Sequence, residues 1–191
     1  MQHRPSPALA RWRTASRTEI DHLLAAFYVV RALGPAGRPA AEQVLHALVV
    51  QLAARFQRYC RDLHDAIVDA LAAAAPPAYG TLLREAFLTG RRLDRQNATS
   101  AVLANDFNRF DLKIWSALPA VQAAARHTLD EVMSARNAIA HQDVPGLARL
   151  RLDIVVLRGW RQSLDDLAVA VDGAVGARLG EVVGDFSWDQ G

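Results

Sequence analysis

The run of residues 134–143 gathers side chains that can act on a phosphodiester. It reads Ser-Ala-Arg-Asn-Ala-Ile-Ala-His-Gln-Asp and places a guanidinium at Arg136, an amide at Asn137 and an imidazole at His141. Arginine can hold a phosphate through two hydrogen bonds and can stabilise negative charge that develops on its oxygens. Histidine titrates near neutral pH, so it can accept or donate a proton. In RNA the 2′-hydroxyl already provides the nucleophile, and the protein need supply none.

The spacing of these residues limits how they can meet on a helix. At about 100° per residue, Arg136 and His141 project about 140° apart and lie about 7.5 Å apart along the axis. Asn137 and His141 share a face, because they stand at positions i and i+4. A site that uses both Arg136 and His141 therefore needs a frayed helix end near His141 or a second copy of the helix. A two-fold dimer would supply that second copy.

The string Arg136-Asn137-Ala138-Ile139-Ala140-His141 resembles the R-x4-6-H motif of the HEPN superfamily (higher eukaryotes and prokaryotes nucleotide-binding). An Asn directly after the Arg and an apolar residue two positions before the His are common in that motif. The chain is similar in length and in motif position to the stand-alone bacterial HEPN proteins of the RiboL-PSP type. Two aromatic and basic strings, residues 55–59 and 106–110, are weaker features of the same resemblance.

The resemblance implies an all-α bundle that dimerises through the motif helix and forms a composite cleft for RNA. Many members are metal-independent endoribonucleases that act as toxins or anti-phage defence effectors, some of them with an antitoxin protein as partner. By position, Arg136 and His141 would be the catalytic pair and Asn137 the supporting polar residue. One subgroup, silenced by a nucleotidyltransferase antitoxin, extends the motif to R-x4-H-x-Y. This chain departs from that subgroup, because Asp143 stands at the tyrosine position.

Other interpretations of the motif remain open on the sequence alone. Arg136 and His141 are also what a helix C-terminus favours, since cations there interact well with the helix dipole. A non-catalytic HEPN-like dimer could use the same cleft to hold a nucleotide or a partner protein, such as an antitoxin. A helical antitoxin or scaffold would have no nucleic-acid role at all. Within the catalytic interpretation, His141 could take the proton of the 2′-hydroxyl or protonate the leaving oxygen.

Further arginines lie outside the motif, in two different contexts. On the long early helix, arginines precede aspartates by four positions, as in Arg58–Asp62 and Arg61–Asp65, which predicts a solvated, ion-paired face. Three arginines in a predicted loop are candidate contacts to RNA phosphates: Arg91, Arg92 and Arg95.

Composition restricts the classes of protein that the chain can belong to. A net charge of +2 over 191 residues permits a nucleic-acid partner without requiring one. The single cysteine, Cys60, excludes a disulfide framework and a four-cysteine zinc site, and it fits a cytoplasmic location. No apolar run approaches the roughly 18 residues that span a membrane. Scattered histidines, no His-Glu-x-x-His and no glycine-rich phosphate loop predict neither a metal nor a cofactor.

The elements that must position the motif all have helical periodicity, and no run alternates with period two. The first helix is expected from a Ser16 or Thr18 cap to residue 33, and the second over residues 39–75, ended by Pro76 and Pro77. Three shorter segments follow: residues 81–88, a helix from an Asn97 or Thr99 cap through residue 107, and residues 111–119 with Asp111 as a cap.

The motif helix is predicted to start at Thr128, where Thr-Leu-Asp-Glu matches a capping box, and to end by about residue 143 before Pro145. Residues 120–125 fit either neighbouring element. A last long helix is expected over residues 147–183, and Trp115 and Trp160 lie on apolar stripes typical of the core. Long helices joined by short loops predict a single-domain all-α bundle over residues 17–185. A flexible basic arm (1–16) and a loose tail (186–191) would flank it.

Overall fold

Helices are the only regular elements in the residues that the computed structural model describes, 4–184 and 186–188. The prediction of an all-α fold is therefore confirmed. No helix in these residues combines the length and the apolar character that crossing a bilayer requires. The α-helices are α1 (Pro7–Arg11), α2 (Arg17–Arg31), α3 (Arg38–Ala74), α4 (Pro77–Leu88), α5 (Ser100–Asn108), α6 (Ile114–Ala117), α7 (Ala120–Ala140), α8 (Val144–Leu150) and α9 (Ile154–Val183).

Helix α3 is the centre of the bundle, and α1, α2, α4, α7 and α9 pack against it. Its bounds agree with the sequence prediction to within one residue at each end. Pro39 is tolerated in the first turn, where no intrahelical N–H bond is needed, and Ala75 turns to extended backbone before Pro76. The buried face of α3 includes Leu48, Phe56 and Leu63, each with less than 2 % of its surface exposed.

The expectation of a flexible arm is wrong for residues 7–16, which form α1 and the π-helical turn Trp12–Ser16. Ala8, Leu9 and Trp12 are buried in the core, and the Trp12 indole N–H donates to Asp165 at 2.8 Å. These three apolar side chains share one helix face, and burying them outweighs the solvation of the surrounding arginines. Residues 1–3 lie outside the described residues.

The expectation of a loose C-terminal tail does not hold for Phe186 and Trp188. Both side chains are half-buried and pack against the core, with their ring centroids 4.9 Å apart in an edge-to-face arrangement. Aromatic side chains remove enough apolar surface from water to hold a short segment against the bundle. Residues 185 and 189–191 lie outside the described part of the chain.

The motif helix begins earlier than the capping-box pattern predicts. Helix α7 starts at Ala120, directly after Pro119, and Thr128 lies in its interior. Nothing between these positions breaks a helix, and the alanine-rich stretch has high helix propensity. Asp130 is used for a tertiary contact instead, accepting hydrogen bonds from the Ser100 backbone N–H and hydroxyl at 2.8 and 2.6 Å.

The predicted last helix is two helices, α8 and α9. Arg151 adopts a left-handed conformation with φ 44°, which ends α8. Asp153 then caps α9 by accepting hydrogen bonds from the backbone N–H groups of Val155 and Val156, both at 2.8 Å. Of the two predicted core tryptophans, Trp160 is buried and Trp115 is half-buried against the core.

The middle of the chain follows the prediction in part. Thr99, and not Asn97, caps α5 by accepting from the Val102 N–H at 3.3 Å. Asp111 caps no helix, because it lies in the left-handed region with φ 55°, and α6 begins only at Ile114. Helix α4 starts at Pro77, four residues before the expected position, since proline suits a first helical turn.

Candidate functional site

Helix α7 carries the motif and is held by its inner face. Leu129, Val132 and Met133 are buried on that face, and α7 packs against both α3 and α9. Arg136 and Asn137 follow in the last turns and are half-buried at the edge of this packing. Their backbone positions are thus set by the core, while their polar ends reach an open cavity.

The cavity has a volume of about 550 Å³ and lies between α3, the segment that precedes α5, and the end of α7. Three arginines and one aspartate line it, so its lining carries excess positive charge. The remaining lining side chains are mostly amides. The lining residues are Gln57, Arg61, Asp94, Arg95, Gln96, Asn97, Thr99, Val102, Arg136 and Asn137.

A hydrogen-bonded cluster of Asn97, Arg136 and Asn137 forms one wall of this cavity. The Asn137 Oδ1 accepts from Asn97 Nδ2 at 2.7 Å and from Arg136 Nη1 at 3.2 Å. Within the described residues, Asn137 Nδ2 has no hydrogen-bond partner and Arg136 has no carboxylate partner. The arrangement presents N–H donors and an uncompensated positive charge, which are the groups that bind a phosphate.

The loop that carries Arg95 is held by hydrogen bonds to its backbone. Asp106 is fully buried, and its carboxylate accepts from the backbone N–H groups of Arg92 and Leu93 at 3.1 and 2.8 Å. Gln57 Nε2 donates to the carbonyl oxygens of Leu93 and Gln96 at 3.2 and 3.0 Å. Arg95 is itself exposed, so the loop presents its side chain to the cavity from a rigid base.

The surroundings of Arg91 do not favour its predicted contact with an RNA phosphate, which stays a prediction. Its side chain is only 9 % exposed and forms ion pairs with Asp65 at 2.5 Å and Asp94 at 2.8 Å. Burial alone would lower the pKa of Arg91, but hydrogen bonding and attraction from Asp94 and Asp65 outweigh it and raise the pKa. Arg92 is exposed but does not line the cavity, which leaves Arg95 as the loop arginine beside Arg136.

The expected ion-paired face on α3 is present for one pair and absent for the other. Arg58 and Asp62 lie 3.8 Å apart, as predicted. The predicted pairing of Arg61 with Asp65 is wrong, because Asp65 binds Arg91 while Arg61 Nε donates to the Leu93 carbonyl at 2.7 Å. Arg61 thereby helps to hold the loop below Arg95.

His141 lies at the C-terminal end of α7 and outside the cavity. Its backbone N–H donates to the Asn137 carbonyl at 2.9 Å, and its side chain is exposed. Within the described residues, its imidazole makes no hydrogen bond. Asp143 caps α8 by accepting from the Gly146 N–H at 3.1 Å. One copy of the chain therefore brings Arg136, Asn137 and Arg95 together but leaves His141 apart from them.

Two other reactive side chains are buried and poorly suited to chemistry. Burial, reinforced by the nearby Arg91 charge, lowers the pKa of His64 to about 3, so its imidazole is neutral at physiological pH. Burial also raises the pKa of the Cys60 thiol. No group of three or more His, Cys, Asp or Glu residues in the described part of the chain is arranged to hold a metal ion.

Asn97 is a site residue that the sequence does not reveal. Sequence patterns mark it only as a candidate helix cap, because its contact with Asn137 spans 40 positions of the chain. The only local signal is an Asn beside a basic loop, and this is common in turns.

The fold and the cavity define an all-α protein with a basic, amide-rich site at the end of one helix. Comparisons with family models, with curated proteins and with solved structures found no match for this chain. The function proposed below therefore depends on the motif and on the geometry around it.

Proposed function

We propose that the protein is a metal-independent endoribonuclease of the HEPN type, which acts as a homodimer and serves as a toxin or anti-phage defence effector. The observation that supports this best is the shared cavity of Arg136, Asn137 and Arg95. The R-x4-6-H motif itself spans only residues 136–141, whereas Arg95 comes from a distant part of the chain. Their convergence gives the motif a basic surface on which an RNA backbone can lie.

The residues of the cavity have distinct roles in this proposal. Arg136 binds the scissile phosphate and stabilises the charge that develops on its oxygens. The Asn137 Nδ2 donates a hydrogen bond to the same phosphate. Arg95 neutralises a flanking phosphate, contributing to affinity and not to chemistry.

His141 transfers a proton in the reaction, either the one that leaves the 2′-hydroxyl or the one that the leaving oxygen gains. The 2′-oxygen attacks the adjacent phosphorus and loses its proton, while the bond to the 5′-oxygen breaks and that oxygen gains a proton. The products are a 2′,3′-cyclic phosphate and a 5′-hydroxyl. Because His141 lies outside the cavity of its own copy, we propose that two copies of α7 meet at a two-fold axis. Arg136 of one copy and His141 of the other then form each composite site.

Incubation of the purified protein with a single-stranded RNA, in excess EDTA, tests this function directly. We expect cleavage with cyclic or 3′-phosphate ends, no cleavage of the matching DNA, and no cleavage by His141→Ala. DNA lacks the 2′-hydroxyl and so lacks the nucleophile. Loss of activity in EDTA that magnesium restores, or equal cleavage of DNA, would contradict the proposal.

The position of His141 also favours a second candidate, a non-catalytic dimeric module that binds a nucleotide or a partner protein such as an antitoxin. In one copy the phosphate-binding groups are assembled without the imidazole. Such a module would bind RNA or a nucleotide through Arg95 and Arg136 but leave RNA intact. Binding without cleavage, unaffected by His141→Ala, would identify this candidate.

A further inference from the structure

We propose that Asn97 is the residue that positions the phosphate-binding groups of α7. It holds the Asn137 amide so that Oδ1 receives the Arg136 guanidinium and Nδ2 is left to donate to a phosphate oxygen. This inference rests on the proposed function, because it assigns Asn97 a role in binding the RNA phosphate. Asn97 itself acts through Asn137 and does not contact the phosphate.

The hydrogen bonds of Asn137 determine which way its amide faces. Oδ1 accepts two donors, Asn97 Nδ2 at 2.7 Å and Arg136 Nη1 at 3.2 Å. A carbonyl oxygen has two lone pairs, so this atom is fully used. Reversing the amide would place the Nδ2 donors against two other donors, which is unfavourable. Both bonds hold the amide in this orientation, and the shorter of the two comes from Asn97.

Asn97 can fix this orientation because its own backbone is held on both sides. The Asn97 carbonyl accepts from the Thr99 N–H at 2.7 Å, and the intervening Ala98 is fully buried. Ser100 is tied to Asp130 of α7, and Gln57 of α3 donates to the carbonyl of Gln96 at 3.0 Å. The Asn97 donor is thus placed by two helices of the core, one of which carries the motif.

The neutrality of Asn97 matters as much as its geometry. Arg136 and Asn97 donate to the same neutral acceptor, the Asn137 Oδ1. Within the described residues Arg136 contacts no carboxylate, so its charge remains available to an anion. A carboxylate at position 97 would accept a hydrogen bond from Asn137 Nδ2. The Asn137 amide would then flip, so that Oδ1 and Nδ2 exchange positions. It would also place a negative charge beside Arg136 and compete with a phosphate.

The test compares Asn97→Asp with Asn105→Asp, an exposed asparagine on α5 that gives the same change in net charge. Two readouts are measured: single-turnover cleavage of a single-stranded RNA, and binding of its 2′-O-methyl analogue by fluorescence anisotropy. Loss of one hydrogen bond to a charged group predicts a fall of roughly 10- to 100-fold for Asn97→Asp in both readouts. Asn105→Asp should stay within about twofold of wild type.

A double-mutant cycle separates positioning from a general structural effect. If Asn97 acts through Asn137, Asn97→Ala should weaken RNA binding in the wild-type background but have no further effect in Asn137→Ala. Circular dichroism is used to check that each variant is folded. If Asn97→Asp does not fold, Asn97→Ala replaces it in the comparison. Wild-type binding by the position-97 variant, or fully additive effects in the cycle, would overturn the inference.

The outcomes also distinguish this inference from the proposed function. A wild-type protein that binds the 2′-O-methyl RNA but does not cleave RNA contradicts the ribonuclease function, and the binding cycle alone then decides the role of Asn97. A wild-type protein that neither binds nor cleaves RNA overturns both. Cleavage that is unchanged in Asn97→Asp overturns only the inference.

Discussion

Arg136 and His141 lie five positions apart on the same helix but in different surroundings. The Arg136 side chain is half-buried and donates to Asn137 within the polar cavity, whereas His141 caps the end of α7 with its imidazole exposed. The angle between adjacent residues of an α-helix produces this divergence, and the tertiary structure does not remove it. The proposed chemistry needs both side chains at one phosphate, so this separation makes the dimer essential to the proposal.

Alanine substitution of Arg136 or His141 should each abolish RNA cleavage. Charge stabilisation and proton transfer are separate contributions, each typically worth about 100-fold or more in rate. Single-turnover cleavage of a labelled RNA measures the decrease, and far-UV circular dichroism and dimer mass should remain unchanged. Arg126→Ala, on the exposed face of the same helix, is the matched control and should retain activity. Normal cleavage by either folded motif variant would contradict the assigned roles.

Mixing the two inactive variants should restore activity if the site is composite. In a mixed dimer of Arg136→Ala with His141→Ala, one of the two sites would contain an intact Arg136 and an intact His141 from different copies. We expect up to about a quarter of wild-type activity after subunit exchange, because about half of the dimers are mixed and each has one intact site. Mass spectrometry verifies that the subunits have exchanged. If the exchanged mixture is still inactive, both residues act within one copy.

Arg95→Gln should weaken RNA binding with little effect on the single-turnover rate at saturation. Its side chain lines the cavity beside Arg136. Each phosphate that the protein no longer neutralises reduces the slope of log affinity against log salt by about 0.7 for a single strand. Titration of a 2′-O-methyl RNA at several salt concentrations measures that slope. Arg92→Gln removes the same charge from the same loop outside the cavity, and it should leave the slope unchanged. Equal effects of the two substitutions would indicate only a general charge effect.

The free energy of unfolding should decrease as the pH falls from about 6.5 towards 3, in part because of His64. The folded pKa of His64 is about 3, below the ordinary value of about 6.5 expected in the unfolded chain. The unfolded state therefore binds a proton first, and stability that is complete above pH 6.5 is lost as the pH falls, by at most about 1.4 kcal/mol per pH unit. Urea unfolding between pH 5 and 7 measures this slope.

His64→Phe provides the comparison for that pH dependence, since Phe107 and Phe110 already surround the imidazole. This variant should show a shallower decrease in stability between pH 6.5 and 5. If His64→Phe and wild type lose stability in parallel, the buried imidazole does not titrate as its environment predicts.

Local sequence patterns determined the helical fold and the placement of the motif. The bounds of α3 could be predicted because proline and the periodic apolar residues act within a few positions of where they stand. The divergence of Arg136 and His141 also followed from helix geometry alone. The early start of α7 could not be predicted, because a capping-box pattern is used as a cap only when the chain before it is not helical.

The composition of the cavity was decided by the tertiary structure. Arg91, Arg92 and Arg95 are indistinguishable in the sequence as parts of one basic loop. Ion pairs with Asp65 and Asp94 bury Arg91, while the hydrogen bonds of Asp106 and of α3 to the loop backbone leave Arg95 facing the cavity. In the same way, the Asn97–Asn137 bond joins residues 40 positions apart. Such contacts depend on how helices pack, and no local pattern encodes them, because burial and ion pairing are settled only when distant elements meet.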